Sequence, residues 1–204
     1  MTDKSSVTYP RIGLLIDGEW IYDRPTLCEV ENPSDEAIIG TVPKASPQDL
    51  QAALAAAERG FQTWRRTPTS QRAALLRRAA ALVRERAAEI APIFTLEQGK
   101  TVQESLGEIE RSATFLDWDA EEAIRIYGRV VPTDPPVQQT VIREPIGPVA
   151  AFTPWNVPMS APSRKISAAL ASGCSIILKP AEETPATTCL FAQCFLDAGL
   201  PPGV

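Results

Sequence analysis

Two short segments hold most of the side chains able to do chemistry: Thr153-Pro154-Trp155-Asn156-Val157-Pro158 and Lys179-Pro180-Ala181-Glu182-Glu183-Thr184-Pro185. Each sets polar groups in a proline-stiffened stretch, which lowers the entropy cost of keeping them aimed at a ligand. Asn156 offers an amide that can donate to a developing oxyanion. Trp155 can wall a pocket with its ring. Lys179 can bond ribose hydroxyls or approach a phosphate, and Glu182 can accept from both hydroxyls of a ribose. Taken singly, each has a plainer reading. Asn156 would be a loop residue bonding its own backbone, and Lys179 with Glu182 a surface ion pair worth under about 1 kcal/mol. Glu183 reads as a solvated acid.

The remaining reactive groups narrow the chemistry. The cysteines are Cys28, Cys174, Cys189 and Cys194, with no CxxC pair, and the chain has no histidine. A Cys/His zinc site and a His-based catalytic triad are therefore excluded within this chain. Each cysteine reads as a small buried apolar side chain, and no disulfide is expected.

The elements that must position the two loops are short and apolar. Val149 to Thr153 predicts a strand buried on both faces, followed by a helix from Ala161 to Ser172 that Gly173 stops. Cys174 to Leu178 predicts a second strand, and Ala186 to Ala198 a helix ending at Gly199. This is a βαβα unit with a right-handed crossover. Ligands of such a unit bind beyond the carboxyl ends of the strands, where both loops fall. Neither strand is followed by GxGxxG, so the usual dinucleotide fingerprint is missing.

Upstream, Leu14 to Ile16, Asp17-Gly18 and Glu19 to Tyr22 predict a hairpin. Asn32-Pro33-Ser34 turns Leu27 to Val30 into a strand near Ala37 to Val42. Ser46, Pro47 and Asp49 open a helix as a capping box, with Leu50, Ala53, Leu54, Ala57 and Phe61 on its inner face. Pro68 interrupts, and Thr69 or Ser70 caps a second helix whose Arg72, Arg77, Arg78 and Arg84 take the wet side. Gly99 stops a third helix. A fourth runs from Val102 through Ile124 to an αL stop at Gly128. Gln139 to Glu144 predicts one more strand.

Composition sets the class. The 204 residues are 44% hydrophobic and 22% charged, as in a globular protein. A net charge of -5 argues against a phosphate-backbone binder, so no nucleic-acid partner is expected. No run of about 18 apolar residues offers a membrane span. Met1 to Ser6 lack the apolar stretch of a secretory signal, so a cytoplasmic location is expected.

Together the two loops resemble the aldehyde dehydrogenase superfamily. The likeness runs from Pro145-Ile146-Gly147-Pro148 through Pro154-Trp155-Asn156 and Lys165 to Lys179-Pro180-Ala181-Glu182 and Leu200-Pro201-Pro202-Gly203-Val204. Upstream, Ile16-Asp17-Gly18-Glu19-Trp20, Asn32-Pro33 and Leu96-Glu97-Gln98-Gly99-Lys100 also resemble that family, in its order. The resemblance implies an α/β fold: a Rossmann-like parallel sheet, incomplete here, with an N-terminal β-hairpin and a helical region. Residues 1–128 would pack on the cofactor domain, 129–147 would form a connecting loop and part of an oligomerisation hairpin, and 148–204 the first βαβα portion. The partner of the 139–144 strand would come from elsewhere in a longer chain or from a neighbouring subunit.

The resemblance also implies roles. Phe152, Thr153, Pro154 and Trp155 would line the nicotinamide side of an NAD(P) cleft. Lys179, Pro180, Ala181 and Glu182 would hold the adenosine ribose, and Asn156 would stabilise the oxyanion of the thiohemiacetal and thioester-forming steps. An acid at 182 favours NAD over NADP by repelling a 2′-phosphate. The family's cysteine nucleophile, base glutamate and pyrophosphate turn would lie beyond Val204, so this chain alone is expected to lack dehydrogenase activity. The substrate would be a small aldehyde oxidised to an acid, in a homodimer or homotetramer. Phe115, Trp118 and Asp119 would face its tunnel. The alternatives are a non-catalytic nucleotide-binding or interaction module, and a CoA-acylating or acyl-phosphate-reducing relative.

Overall fold

A computed structural model describes residues 7–204; the reading of Met1 to Ser6 lies outside the described residues. The hairpins form where turn chemistry demands them. β1 (Leu14–Ile16) and β2 (Glu19–Ile21) pair antiparallel about Asp17 and Gly18, both at positive φ. β3 (Leu27–Glu31) pairs antiparallel with β4 (Ile38–Pro43), with a bulge at Val30/Glu31.

Four helices follow. α1 (Pro47–Trp64) opens with the expected Ser46/Asp49 capping box. Its buried face keeps Ala57 and Phe61 of the expected one but not its leucines. Ala56, Ala57, Gly60, Phe61 and Trp64 turn inward, whereas Leu50 and Leu54 stay about half exposed. Small residues let the helix approach its neighbours closely, and that rotates the two leucines outward. α2 (Thr69–Glu85) is capped by neither Thr69 nor Ser70. Pro68 is its N-cap, with no side-chain hydrogen bond.

Arg72 corrects a second expectation. It is buried rather than wet, its guanidinium donating to the Thr67 and Ala171 carbonyls at 2.6 and 3.2 Å. The Ala171 carbonyl lies in the last turn of α5 (Ser160–Ser172), where a cation is favourable. Arg77 and Arg84 do reach solvent, paired with Glu121 and with Glu110 and Asp117.

α3 (Ala87–Gln98) ends at Gly99 in the αL conformation, as expected. α4 (Val102–Ala123) ends five residues before Gly128. Gly128 is no αL stop; a Cβ there would lie 2.2 Å from the Val141 carbonyl oxygen, so glycine serves a close strand approach. That approach belongs to a hairpin, β5 (Arg129–Val131) with β6 (Gln139–Val141). The partner of β6 therefore comes from this same chain, and β6 is shorter than the 139–144 expectation.

β7 (Val149–Phe152) and β8 (Ile176–Lys179) run parallel, joined through α5 and followed by α6 (Pro185–Asp197). The expected burial on both faces fails for β7. Ala151 is buried, whereas Ala150 is exposed and Phe152 is 71% exposed. Helices cover one side only. Leu76, Val83, Ile90, Phe94, Ile109, Leu116, Leu170 and Phe191 form a single core tying α2, α3 and α4 to α5 and α6. At about 25 cal/mol per Å² of apolar area, this core holds the two strands to the helical layer.

Candidate functional site

The parallel register sets Phe152 beside Lys179, and the Thr153 N–H donates to the Lys179 carbonyl at 3.2 Å. Both loops therefore leave the sheet at neighbouring points of one edge, the carboxyl end. Thr153 and Ala181 are buried and pin the loop bases. Pro154, Trp155, Asn156, Lys179 and Glu182 are exposed around them, with Pro180 half-buried. Among the described residues the Asn156 side-chain amide makes no hydrogen bond, so the self-bonding reading is not what the fold adopts. Its N–H₂ is left to meet a ligand.

Lys179 and Glu182 do form the surface ion pair. Lys179 beside it holds the Glu182 carboxyl below its ordinary range, so the acid is charged at neutral pH. Both side chains are more than half exposed, and the pair adds little to stability. Glu183 is exposed, as expected.

What holds the loops in place is a pair of buried glutamates to which sequence reasoning gave no role. Glu108 of α4 accepts from the Met159 and Ser160 backbone N–H groups at 3.2 and 3.1 Å, at the first turn of α5. Glu97 of α3 accepts from the Ala186 and Thr187 N–H groups at 2.7 and 2.9 Å, from the Thr187 hydroxyl at 2.6 Å and from the Tyr9 hydroxyl. Each is 3% exposed. Burial pushes the Glu97 carboxyl up, and these hydrogen bonds pull against it.

Helix N-termini are the usual seats of dinucleotide phosphates. Here both helices after the sheet strands have theirs filled by a protein carboxylate. A cofactor would have to place its phosphates elsewhere, in keeping with the missing glycine fingerprint. A signal for the glutamates does exist. Glu108 is in phase with buried Ser105, Ile109 and Ser112, and Glu97 with Ile90 and Ile93. A charge in phase with a buried stripe needs a buried partner.

No thiol stands at this edge. Cys174 precedes β8, at the opposite end of the sheet, and Cys28 lies on β3. Cys189 and Cys194 point from α6 into the fold, and burial pushes their thiols up to about 12 and about 11. Cys174 and Cys194 are buried, Cys28 and Cys189 half-buried, and all four are free. At about pH 8, Cys189 and Cys194 are therefore expected to resist a thiol reagent until the chain unfolds. Mass spectrometry of native and denatured samples checks this. Because folding raises these values above the ordinary 9.0, their stabilising contribution is present below pH 9.0 and falls as pH climbs toward 11–12.

Of the residues expected near the substrate, Trp118 is 65% exposed and Asp119 accepts from the Ser167 hydroxyl. Phe115 lies under the Arg164 guanidinium, 4.5 Å from its ring centroid. Among the described residues Arg164 forms no ion pair, no group of acids, cysteines and histidines could hold a metal, and no helix is long and apolar enough to cross a membrane.

The sequence profile of the aldehyde dehydrogenase family matches residues 20–204. The chain belongs to the aldehyde dehydrogenase family. Within it, the chain is 45% identical over 205 residues to a 4-(hydroxymethyl)benzenesulfonate dehydrogenase of Comamonas testosteroni, covering 98% of this chain and 42% of that protein. It is 41% identical over 191 residues to the glutarate-semialdehyde dehydrogenase of Pseudomonas putida, covering 93% and 40%. Among solved structures, an NADP dependent enzyme of E. coli superposes with a TM-score of 0.92 at 41% identity, over 95% of this chain and 41% of that one. The chain thus spans about two fifths of the length of these proteins. The α/β fold and the family inferred from the two loops are both borne out.

Proposed function

We propose that residues 148–204 are the first part of an NAD(P) cleft in an aldehyde-oxidising dehydrogenase of the cytoplasm. Residues 1–128 support that cleft, and 129–147 supply an association hairpin for a homo-oligomer. The observation that carries this reading is the meeting of the Pro154-Trp155-Asn156 and Lys179-Pro180-Ala181-Glu182 loops at one strand edge. Phe152, Thr153, Pro154 and Trp155 face the nicotinamide, Lys179 to Glu182 hold the ribose, and Asn156 donates to the oxyanion. The Asn156 amide acts on charge that develops as a nucleophile adds to the carbonyl. It needs no proton transfer of its own.

The substrate carries an anionic group remote from its aldehyde. Both relatives named above act, by name, on compounds ending in a sulfonate or a carboxylate. Arg164, spread over Phe115 and without an acid partner among the described residues, is the cation that such a group would meet. In the active dehydrogenase carrying this segment, aldehydes with a carboxylate or sulfonate are expected to show higher kcat/KM than neutral ones of equal size, by about tenfold or more. Equal values overturn the assignment. The 204-residue chain by itself is expected to form no NADH from aldehyde and NAD, since no thiol stands at the cleft.

The charge on Glu182 supports NAD as the preferred cofactor. Glu182→Ala is expected to raise the NADP-to-NAD ratio of kcat/KM by about tenfold, because the repulsion toward a 2′-phosphate is gone. An unchanged ratio removes the acid from cofactor choice.

A further inference from the structure

We propose that Lys100 is a positioning residue for Asn156, acting with Glu108 as a clamp that fixes the oxyanion-side loop from the helical layer. This rests on the reading of Asn156 given above. The Lys100 ammonium donates to the Glu108 carboxylate at 2.5 Å and to the Asn156 backbone carbonyl at 2.9 Å. The same nitrogen stands over the Phe94 ring, 5.3 Å from its centroid. The other Glu108 oxygen takes the Met159 and Ser160 N–H groups. One ion pair thereby grips the loop at two points, Asn156 and Met159-Ser160.

The geometry suits positioning rather than general stability. Glu108 is almost fully buried, yet Lys100 keeps about a quarter of its side chain in solvent. The lysine sits just after the Gly99 stop of α3 and just before the Thr101 cap of α4, so its own backbone is fixed on both sides. The Asn156 amide reaches a ligand only if its Cα is held, and apart from this tether Asn156 lies exposed on the loop. A second donor at the lysine nitrogen is what couples the loop to the buried carboxylate. Arginine at position 100 can supply two donors as well, and methionine keeps the apolar stem while supplying none.

The test uses the 204-residue chain and needs no catalysis, so it can fail while the functional reading stands, or succeed while that reading falls. Nitrogen-resolved NMR follows the Asn156 side-chain amide and the exchange of the Met159 and Ser160 backbone amides. In Lys100→Met, the Asn156 signals are expected to move toward random-coil values and exchange at Met159 and Ser160 to quicken about tenfold. Amides within α2 and the middle of α4 keep their protection. Lys100→Arg is expected to restore both readouts. Unchanged Asn156 signals, equal loss of protection throughout α2 and α4, or failure of arginine to restore would each overturn the proposal.

Discussion

Replacing Asn156 by alanine is expected to lower kcat for aldehyde oxidation by about 10² to 10³ in the active dehydrogenase carrying this segment, with the KM for cofactor little changed. An oxyanion donor acts on charge that exists only along the reaction path, so its loss appears in kcat rather than in binding. The side chain has no hydrogen bond to lose in the described fold, so stability should hold. Asn156→Asp should be worse still, since a carboxylate would face the forming negative charge. Steady-state kinetics and a thermal melt on the same samples check both halves. A rise in KM alone, or a drop in melting temperature to match the lost rate, would speak for a structural role.

The second large effect is on folding. Glu97→Ala removes one acceptor from four donors at once: the Ala186 and Thr187 N–H groups and the Thr187 and Tyr9 hydroxyls. All but Tyr9 lie in the buried interior, where an unpaired donor has no water to replace its partner. The expected loss is about 3–5 kcal/mol, or roughly 10 °C in melting temperature for a chain of this size. Glu97→Gln keeps a carbonyl oxygen and should lose about half as much. Calorimetry decides the matter. Equal melting temperatures for wild type and Glu97→Ala would mean that the helix-end bonds contribute nothing.

Much of the fold was legible because its signals are local. Asp17-Gly18 made one hairpin, Ser46-Pro47 with Asp49 opened α1, and Gly99 and Gly173 closed two helices through αL geometry. The misreadings came where packing overrules pattern. Arg72 looked wet from its neighbours, but the end of α5 supplies carbonyls that only the assembled fold brings near. Leu50 and Leu54 fit an amphipathic stripe, yet Ala56, Ala57 and Gly60 define the face that packs. Gly128 was read as a helix stop when its reason is the Val141 carbonyl, thirteen residues further on and unseen in any local window.

The two loops were legible as types of residue in an order. Their place at the carboxyl end of the sheet followed from the βαβα pattern, but the pairing of Phe152 with Lys179 did not, because it depends on the parallel register of β7 with β8. The clamps formed by Glu97 and Glu108 were the largest omission. Glu108 lies in a stretch rich in other charges, Glu97 next to the end of its helix, and a charge that phases with a buried stripe is easily read as a solvated one.

The claim that Phe152 to Asn156 and Lys179 to Glu182 form one cofactor cleft is tested most directly by titrating the 204-residue chain with NAD and following backbone amide shifts by NMR. Saturable shifts confined to residues 152–157 and 179–183 are expected. Shifts centred instead on the cavity between the N-terminal hairpins, lined by Arg11, Tyr22 and Arg24, would contradict it, as would none at all.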